Sequence, residues 1–330
     1  MINKVVISYL LISSGLCIKA QPIIQESWQR ITFNPTDDFH ASYSPDGKKI
    51  LFDSDRSGHN EIYVYDIATK ETFQLTNSSF KSDHPRWSPD GKQIVYELFD
   101  KEIQIYTMNA DGSENKRITY NSGHNGAGHI SPDGKKILFA STRNGNWNLY
   151  EINKNGTEEK RLTQNKGTDA DQQWSPDGTK IVFNSEIEGK YQICTMNADG
   201  SQYRRLTIDT FINEGPRWSP NGKKIAFTSR RNGNSYLYIM DTDGSNQFRL
   251  NTPVNSSEGI WSPDGSQLLF VAGLENDADI WIVDADGKGL KQLTKNSVRE
   301  ANPSWSPDGK SIVFVSAIDG NLEIYTMSLK

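Results

Sequence analysis

Ser-Pro-(Asp/Asn)-Gly occurs seven times in this chain, with its serine at Ser44, Ser88, Ser131, Ser175, Ser219, Ser262 and Ser306. The interval is 43 or 44 residues throughout. A fixed period in the low forties matches one four-stranded propeller blade. A blade cannot bury its own faces, so seven such units must close into one body. The repeat therefore predicts an all-β fold, a seven-bladed β-propeller of four-stranded antiparallel blades, and overrides the two or three domains that 330 residues would otherwise suggest.

Each unit reads the same way. In the second, Pro85-Arg86-Trp87 leads through Ser88-Pro89-Asp90-Gly91 to Gln93–Tyr96, then Ile103–Met108, then a turn at Asn109–Gly112 and a last run at Lys116–Thr119. Short β-branched and aromatic runs bounded by Gly, Pro, Asp and Asn are strands joined by hairpins. Proline presets φ at the first central turn position, and glycine accepts the left-handed backbone that follows. Asp241-Thr242-Asp243-Gly244 and Asp284-Ala285-Asp286-Gly287 look superficially like the opening of a calcium loop. Such a loop closes with glutamate at its twelfth position, where Thr252 and Lys295 stand here. They are read as hairpin turns.

Six outer (D) strands lie between seven A-B-C sets, and the chain ends within the seventh C strand. The missing D strand is expected at the other end, at about Gln29–Thr32, closing the ring by three strands plus one and covering an edge. Tryptophan precedes the turn serine five times (Trp87, Trp174, Trp218, Trp261, Trp305), and its ring is expected to fill the wedge between blades.

Residues 1–20 are different in kind. Lys4, the apolar run Val5–Leu11, small residues and an Ile18-Lys19-Ala20 exit predict a secretory signal peptide cut after Ala20. The propeller would then occupy 21–330, and the protein would be periplasmic or secreted. A lipidated Cys17 is disfavoured by Leu16, where a small residue is wanted. Cys194 is then left without a partner and reads as a small buried strand residue. The formal charge of −5 argues against a nucleic-acid partner, and no later stretch is apolar enough to span a membrane.

The pattern Trp-Ser-Pro-Asp-Gly…Ile-Tyr-x-Met-Asn-x-Asp-Gly…Arg-Leu-Thr, with Asn197-Ala198-Asp199-Gly200 and Arg205-Leu206-Thr207 as its closest copies, resembles the propeller repeat of the bacterial TolB family (the WD40-like or PD40 repeat). The resemblance covers residues 27–330. It implies an envelope or extracellular binding role. TolB itself has six blades behind an α/β domain, so a place in a Tol–Pal system is analogy only. Similar repeats occur beside serine peptidases, but no Gly-x-Ser-x-Gly elbow is present.

A–B and C–D turns share one face of such a ring and are near-identical. B–C loops and D–A connections share the other and vary, as binding surfaces do. On that face the residue four before each turn serine is expected at the start of strand A: His40, His84, Ala127, Asp171, Gly215, Glu258, Asn302. Two residues later come Ser42, Arg86, His129, Gln173, Arg217, Ile260 and Ser304. The candidate binding residues at this channel mouth are His40, His84, Arg86, His129, Asp171, Arg217, Glu258 and Asn302. They would read a ligand's polar groups, or else form a hydrated strand entrance with arginines paired to neighbouring blades.

The expectation is a binding module without catalytic residues or cofactor, whose partner is an envelope protein or extracellular polymer. The alternative is one divalent metal held by His40, His84 and His129. Seven-bladed oligogalacturonate lyases resemble this repeat distantly and hold a metal with channel histidines, which implies a metal-dependent polysaccharide lyase. Arg143-Asn144-Gly145-Asn146-Trp147 could stack a sugar or peptide, or be a packed B–C turn.

Overall fold

A computed structural model describes residues 27–274 and 276–329. The expected leader and Cys17 lie outside the described residues. Seven four-stranded antiparallel sheets form the ring, in sequential order A-B-C-D except in the last. Blade 1 comprises Asp38–Tyr43, Lys49–Ser54, Glu61–Asp66 and Thr72–Gln74, and the next five repeat this plan. Blade 7 takes Glu300–Trp305, Ser311–Ser316 and Glu323–Ser328 from the C-terminal end and Trp28–Arg30 from the N-terminal end. Trp28 pairs with Met327 and Arg30 with Tyr325. Ring closure by three strands plus one is thus as expected. Beyond the ladder, the Trp28 ring meets Phe314 edge-on at 5.0 Å, and Arg30 pairs with Asp319 and Glu323.

The turn serine does more than begin a turn. Ser44 Oγ donates to Asp46 Oδ1 and accepts from the Lys49 amide at 2.9 Å, knitting turn to strand B. The same pair of bonds recurs at Ser88 and Ser175. Successive turns also touch. A Cβ added to Gly91 would lie 3.3 Å from Pro45 Cδ, and the equivalent approach joins Gly178 to Pro132 and Gly47 to Pro307. At the outer edge, the D-strand threonine caps the neighbouring C strand: Ile62 N donates to Thr76 Oγ1 at 2.8 Å, and Ile324 N to Thr32 Oγ1 at 2.9 Å.

Strand B supplies one fully buried ring per blade, Phe52, Tyr96, Phe139, Phe183, Phe227, Phe270 and Phe314. Trp174 packs with Leu138, Ala140 and Leu149 of blade 3 as well as Ile181 and Phe183 of its own blade, which is the wedge role expected of it. Cys194 is fully buried with Sγ 3.1 Å from the Tyr203 hydroxyl, and burial pushes its thiol up to about 11. The Asp243 and Asp286 carboxylates accept from amides two residues on, at Ser245 and Lys288, so both Asp-x-Asp-Gly segments are ordinary turns. Arg143 stacks on Tyr150 at 4.1 Å, and Trp147 packs against the blade 3–4 core, making that B–C loop a packed turn. No helix among the described residues is long and apolar enough to cross a membrane.

Candidate functional site: the channel mouth

Every inner strand is interrupted at the same place. Register shifts fall between Phe39 and Ser42, Asp83 and Arg86, Gly126 and His129, and at the four equivalent pairs. Within each lies a residue of left-handed backbone: His40 (φ 50°), His84 (50°), Ala127 (53°), Asp171 (52°), Gly215 (63°), Glu258 (60°) and Asn302 (48°). The collar therefore does not sit at the strand starts, as the spacing predicts, but at a bulge inside each strand. A bulge leaves one residue unpaired and re-aims its side chain. Left-handed backbone in L-residues is disfavoured by roughly 1–2 kcal/mol each and concentrates where surrounding structure holds it.

Thirteen residues after each bulge residue comes its neighbour on strand B. In blade 1 this pairs His40 with Asp53: Nδ1 lies 2.8 Å from Asp53 Oδ1 and 3.5 Å from Asp83 Oδ1 of the next blade. Asp53 is fully buried and also accepts from Asn60 Nδ2 at 2.9 Å. Burial alone would lower His40, but the two carboxylates outweigh it and raise it to about 9, so His40 is a cation at neutral pH. Asp53 is shifted up by burial. Asp83 is buried too, yet His40, with Lys81 in ion-pair contact, holds it well below the ordinary carboxylate range.

His84 behaves oppositely. Its ring centroid is 4.3 Å from that of His40, but its Nδ1 stays 3.8 Å from Asp83 Oδ2 and 3.7 Å from Glu97 Oε2 and makes no hydrogen bond. Burial lowers it to about 4. Two adjacent imidazoles thus carry different charges, one protonated and one with a free lone pair. In blade 4 the same offset pairs Asp171 with Asn184, whose amide donates to it.

His129 stands apart from this pair. Among the described residues, the metal-ligating groups whose ligand atoms lie within 4.8 Å of one another are those of His40, Asp83 and His84. Asp83 thus takes the place in the cluster that the spacing assigned to His129. His129 shares its surroundings instead with Arg86 and Arg217, which, together with burial, push it well below the usual imidazole range. Glu258 and Asn302 stand at the same bulge level on blades 6 and 7. Sequence reasoning missed Asp53, Asp83 and Glu97. For Asp53 and Glu97 the available signal was the position nine after the turn serine, where Asp53, Glu97, Asn184 and Thr228 are polar inside otherwise apolar strands. Asp83 has no such mark.

A seven-bladed propeller with a polar channel mouth defines the class. More particularly, the chain belongs to the TolB β-propeller domain family (PD40), whose model matches residues 21–97, 69–259 and 216–330. The Tol-Pal system protein TolB of Francisella tularensis subsp. mediasiatica is 32% identical over 111 residues, 33% of this chain and 25% of that protein. An uncharacterised protein of Agrobacterium fabrum is 34% identical over 100 residues, 30% of this chain and 34% of that protein. The matches span about a quarter to a third of these curated relatives. Among solved structures, oligogalacturonate lyase from Vibrio parahaemolyticus superimposes with a TM-score of 0.77 over 92% of this chain and 93% of that one, at 19% identity, which is a likeness of fold. TolB from Acinetobacter baumannii gives 0.62 at 27% identity, over 82% of this chain and 66% of that one.

Proposed function

We propose that this propeller is an exported, non-enzymatic binding module that holds an envelope protein or extracellular polymer over its channel mouth, with His40, His84, Arg86, His129, Asp171, Arg217, Glu258 and Asn302 as the contact set. The observation that carries the reading is the ring of bulges. Seven strands adopt left-handed backbone at one level, and the six with a non-glycine residue there bear its strain and present a side chain. The TolB relatives, one of them called a Tol-Pal system protein, support an envelope setting and a periplasmic or secreted location. The test uses Asn302→Cys at the mouth and Asp90→Cys on the turn face, each carrying a photo-crosslinker, with buried Cys194 unreactive. A discrete adduct from the mouth position in the native envelope, lost on adding His84→Ala and Glu258→Gln, is expected. Equal labelling from the turn face overturns the reading.

The His40–Asp83–His84 cluster favours one second reading, a divalent metal site serving a polysaccharide lyase. Metal binding would displace the His40 proton and the Lys81 contact from Asp83. Stoichiometric Mn, Zn or Ca lost in His84→Ala, with unsaturated uronate products absorbing in the ultraviolet, would establish it. A metal-free, inactive native protein would dismiss it.

A further inference from the structure

Two guanidinium groups enter the channel without a counter-ion. Arg86 and Arg217 occupy the same position on blades 2 and 5, two residues nearer the A–B turns than the bulge and so deeper than the collar. Among the described residues, Arg86 has no carboxylate within 4 Å and no side-chain hydrogen bond. The one side-chain bond of Arg217 runs to the adjacent carbonyl of Pro216, at 3.1 Å. The expected pairing of these arginines with neighbouring blades is therefore not what the structure shows.

Arg86 is exposed to the channel and Arg217 is half-buried, and neither guanidinium can discharge itself at physiological pH. Here the surrounding protein of the channel wall and then the field of Arg217 lower Arg86 to about 10. Glu97 and Asp171 act on Arg86 only at a distance. Both are committed elsewhere, Glu97 to the Ala127 amide at 2.7 Å and Asp171 to Asn184. His129, on blade 3, is kept neutral by burial and by the two arginines. Gln173, on blade 4, has its carbonyl oxygen fixed by the Trp218 amide at 2.9 Å, leaving its NH₂ group as a donor. Two cations, a neutral imidazole and an amide donor at one depth are the complement of a planar or tetrahedral oxyanion.

We propose that Arg86 and Arg217, with His129 and Gln173, form an oxyanion site inside the channel that receives the carboxylate or phosphate group of whatever enters through the collar. This deepens the binding-module reading and rests on it for the direction of entry. It also reassigns His129 from metal ligand to oxyanion neighbour. An anion placed between the arginines would reverse the field at His129 and raise its basicity.

The experiment is a titration of the full protein with inorganic phosphate and, separately, with malonate at constant ionic strength, following the His129 ring resonances by NMR across pH. Saturable binding of either probe, an upward His129 pKa, and affinity about tenfold or more weaker in Arg86→Gln and in Arg217→Gln are expected. Phosphate preferred over malonate assigns a phosphoryl ligand, and the reverse a carboxylate. Binding of neither probe, or affinity unchanged in both variants, overturns the site. Should a variant fail to fold, the His129 titration in the native protein decides alone. The crosslinking experiment is independent of these anions, so a failed oxyanion site and a failed binding face are separable.

Discussion

The indole Nε1 of Trp174 donates to the carbonyl oxygen of His129, 3.3 Å away in the preceding blade. Trp87 reaches Ser42, Trp261 reaches Arg217 and Trp305 reaches Ile260 in the same way. The ring that fills the wedge is therefore also a tether, anchored on the residue that follows the bulge by two. Blade-to-blade packing and channel geometry are set by one side chain.

Trp218 breaks the pattern: its Nε1 is buried without a partner, while its backbone amide donates to the side-chain oxygen of Gln173 in the preceding blade. Trp174→Phe is expected to destabilise more than Trp218→Phe by about 1 kcal/mol, the net worth of one such bond, since both lose similar volume. Urea unfolding of the two variants checks this, and equal losses would deny the tether.

Left-handed backbone at the bulge predicts opposite responses at two positions. A Cβ on Gly215 would meet nothing within 4 Å, so Gly215→Ala isolates the strain and is expected to cost about 1 kcal/mol. Ala127→Gly relieves it at φ 53° and is expected to be neutral or stabilising by about 0.5 kcal/mol after the added freedom of the unfolded chain. Thermal or chemical melts would show the difference in sign.

Glu300 is fully buried at the entrance of the last inner strand, with Oε2 unpartnered and the carboxyl pushed up by burial to about 7. A raised acid means that the folded state binds more protons than the unfolded state between about pH 4.5 and 7. This group's contribution is thus most favourable below 4.5 and falls as pH rises through 7. Asn125 and Asn213 stand at the equivalent place in blades 3 and 5, so an amide fits. Glu300→Gln is expected to stabilise the protein at pH 8 and to lose that advantage at pH 4, as read by denaturant midpoints. A constant offset at both pH values would show that ionisation is not the cause.

Trp28 holds the closing strand through Phe314 and through Tyr325, whose ring lies 5.8 Å away. Trp28→Ala is expected to cost about 3–5 kcal/mol, the usual loss for a buried large aromatic, and to raise hydrogen exchange first in Glu323–Ser328. Loss confined to the first strand would mean that closure contributes little.

The architecture was legible because each blade reuses one turn, and a proline, an acid and a glycine leave a mark no tertiary contact can disguise. Counting outer strands then sets Gln29–Thr32 against the C-terminal end. The bulge was not legible. His, His, Ala, Asp, Gly, Glu and Asn share no side-chain property, and what unites them is a φ angle imposed by the ring. Asp53 and Asp83 were hidden for a related reason. Asp53 lies within a strand whose apolar neighbours dominate the pattern, and only its 13-residue offset from His40 shows its purpose. Asp83 carries no mark among its polar neighbours, because the His40 it faces belongs to the preceding blade. The collar residues were found by spacing, but their charge states depend on which carboxylate each bulge aims at, as His40 and His84 show.

The contact of Gly47 with Pro307 is of the same kind as that of Gly91 with Pro45. One joins sequence neighbours and the other joins opposite ends of the polypeptide, yet the seat is the same. Chain continuity is thus incidental on the turn face: the circle of turns has a covalent gap but no mechanical one. A permuted gene, cut at another outer link and fused where Trp28 lies beside Met327, would reassemble the same circle from a different starting blade.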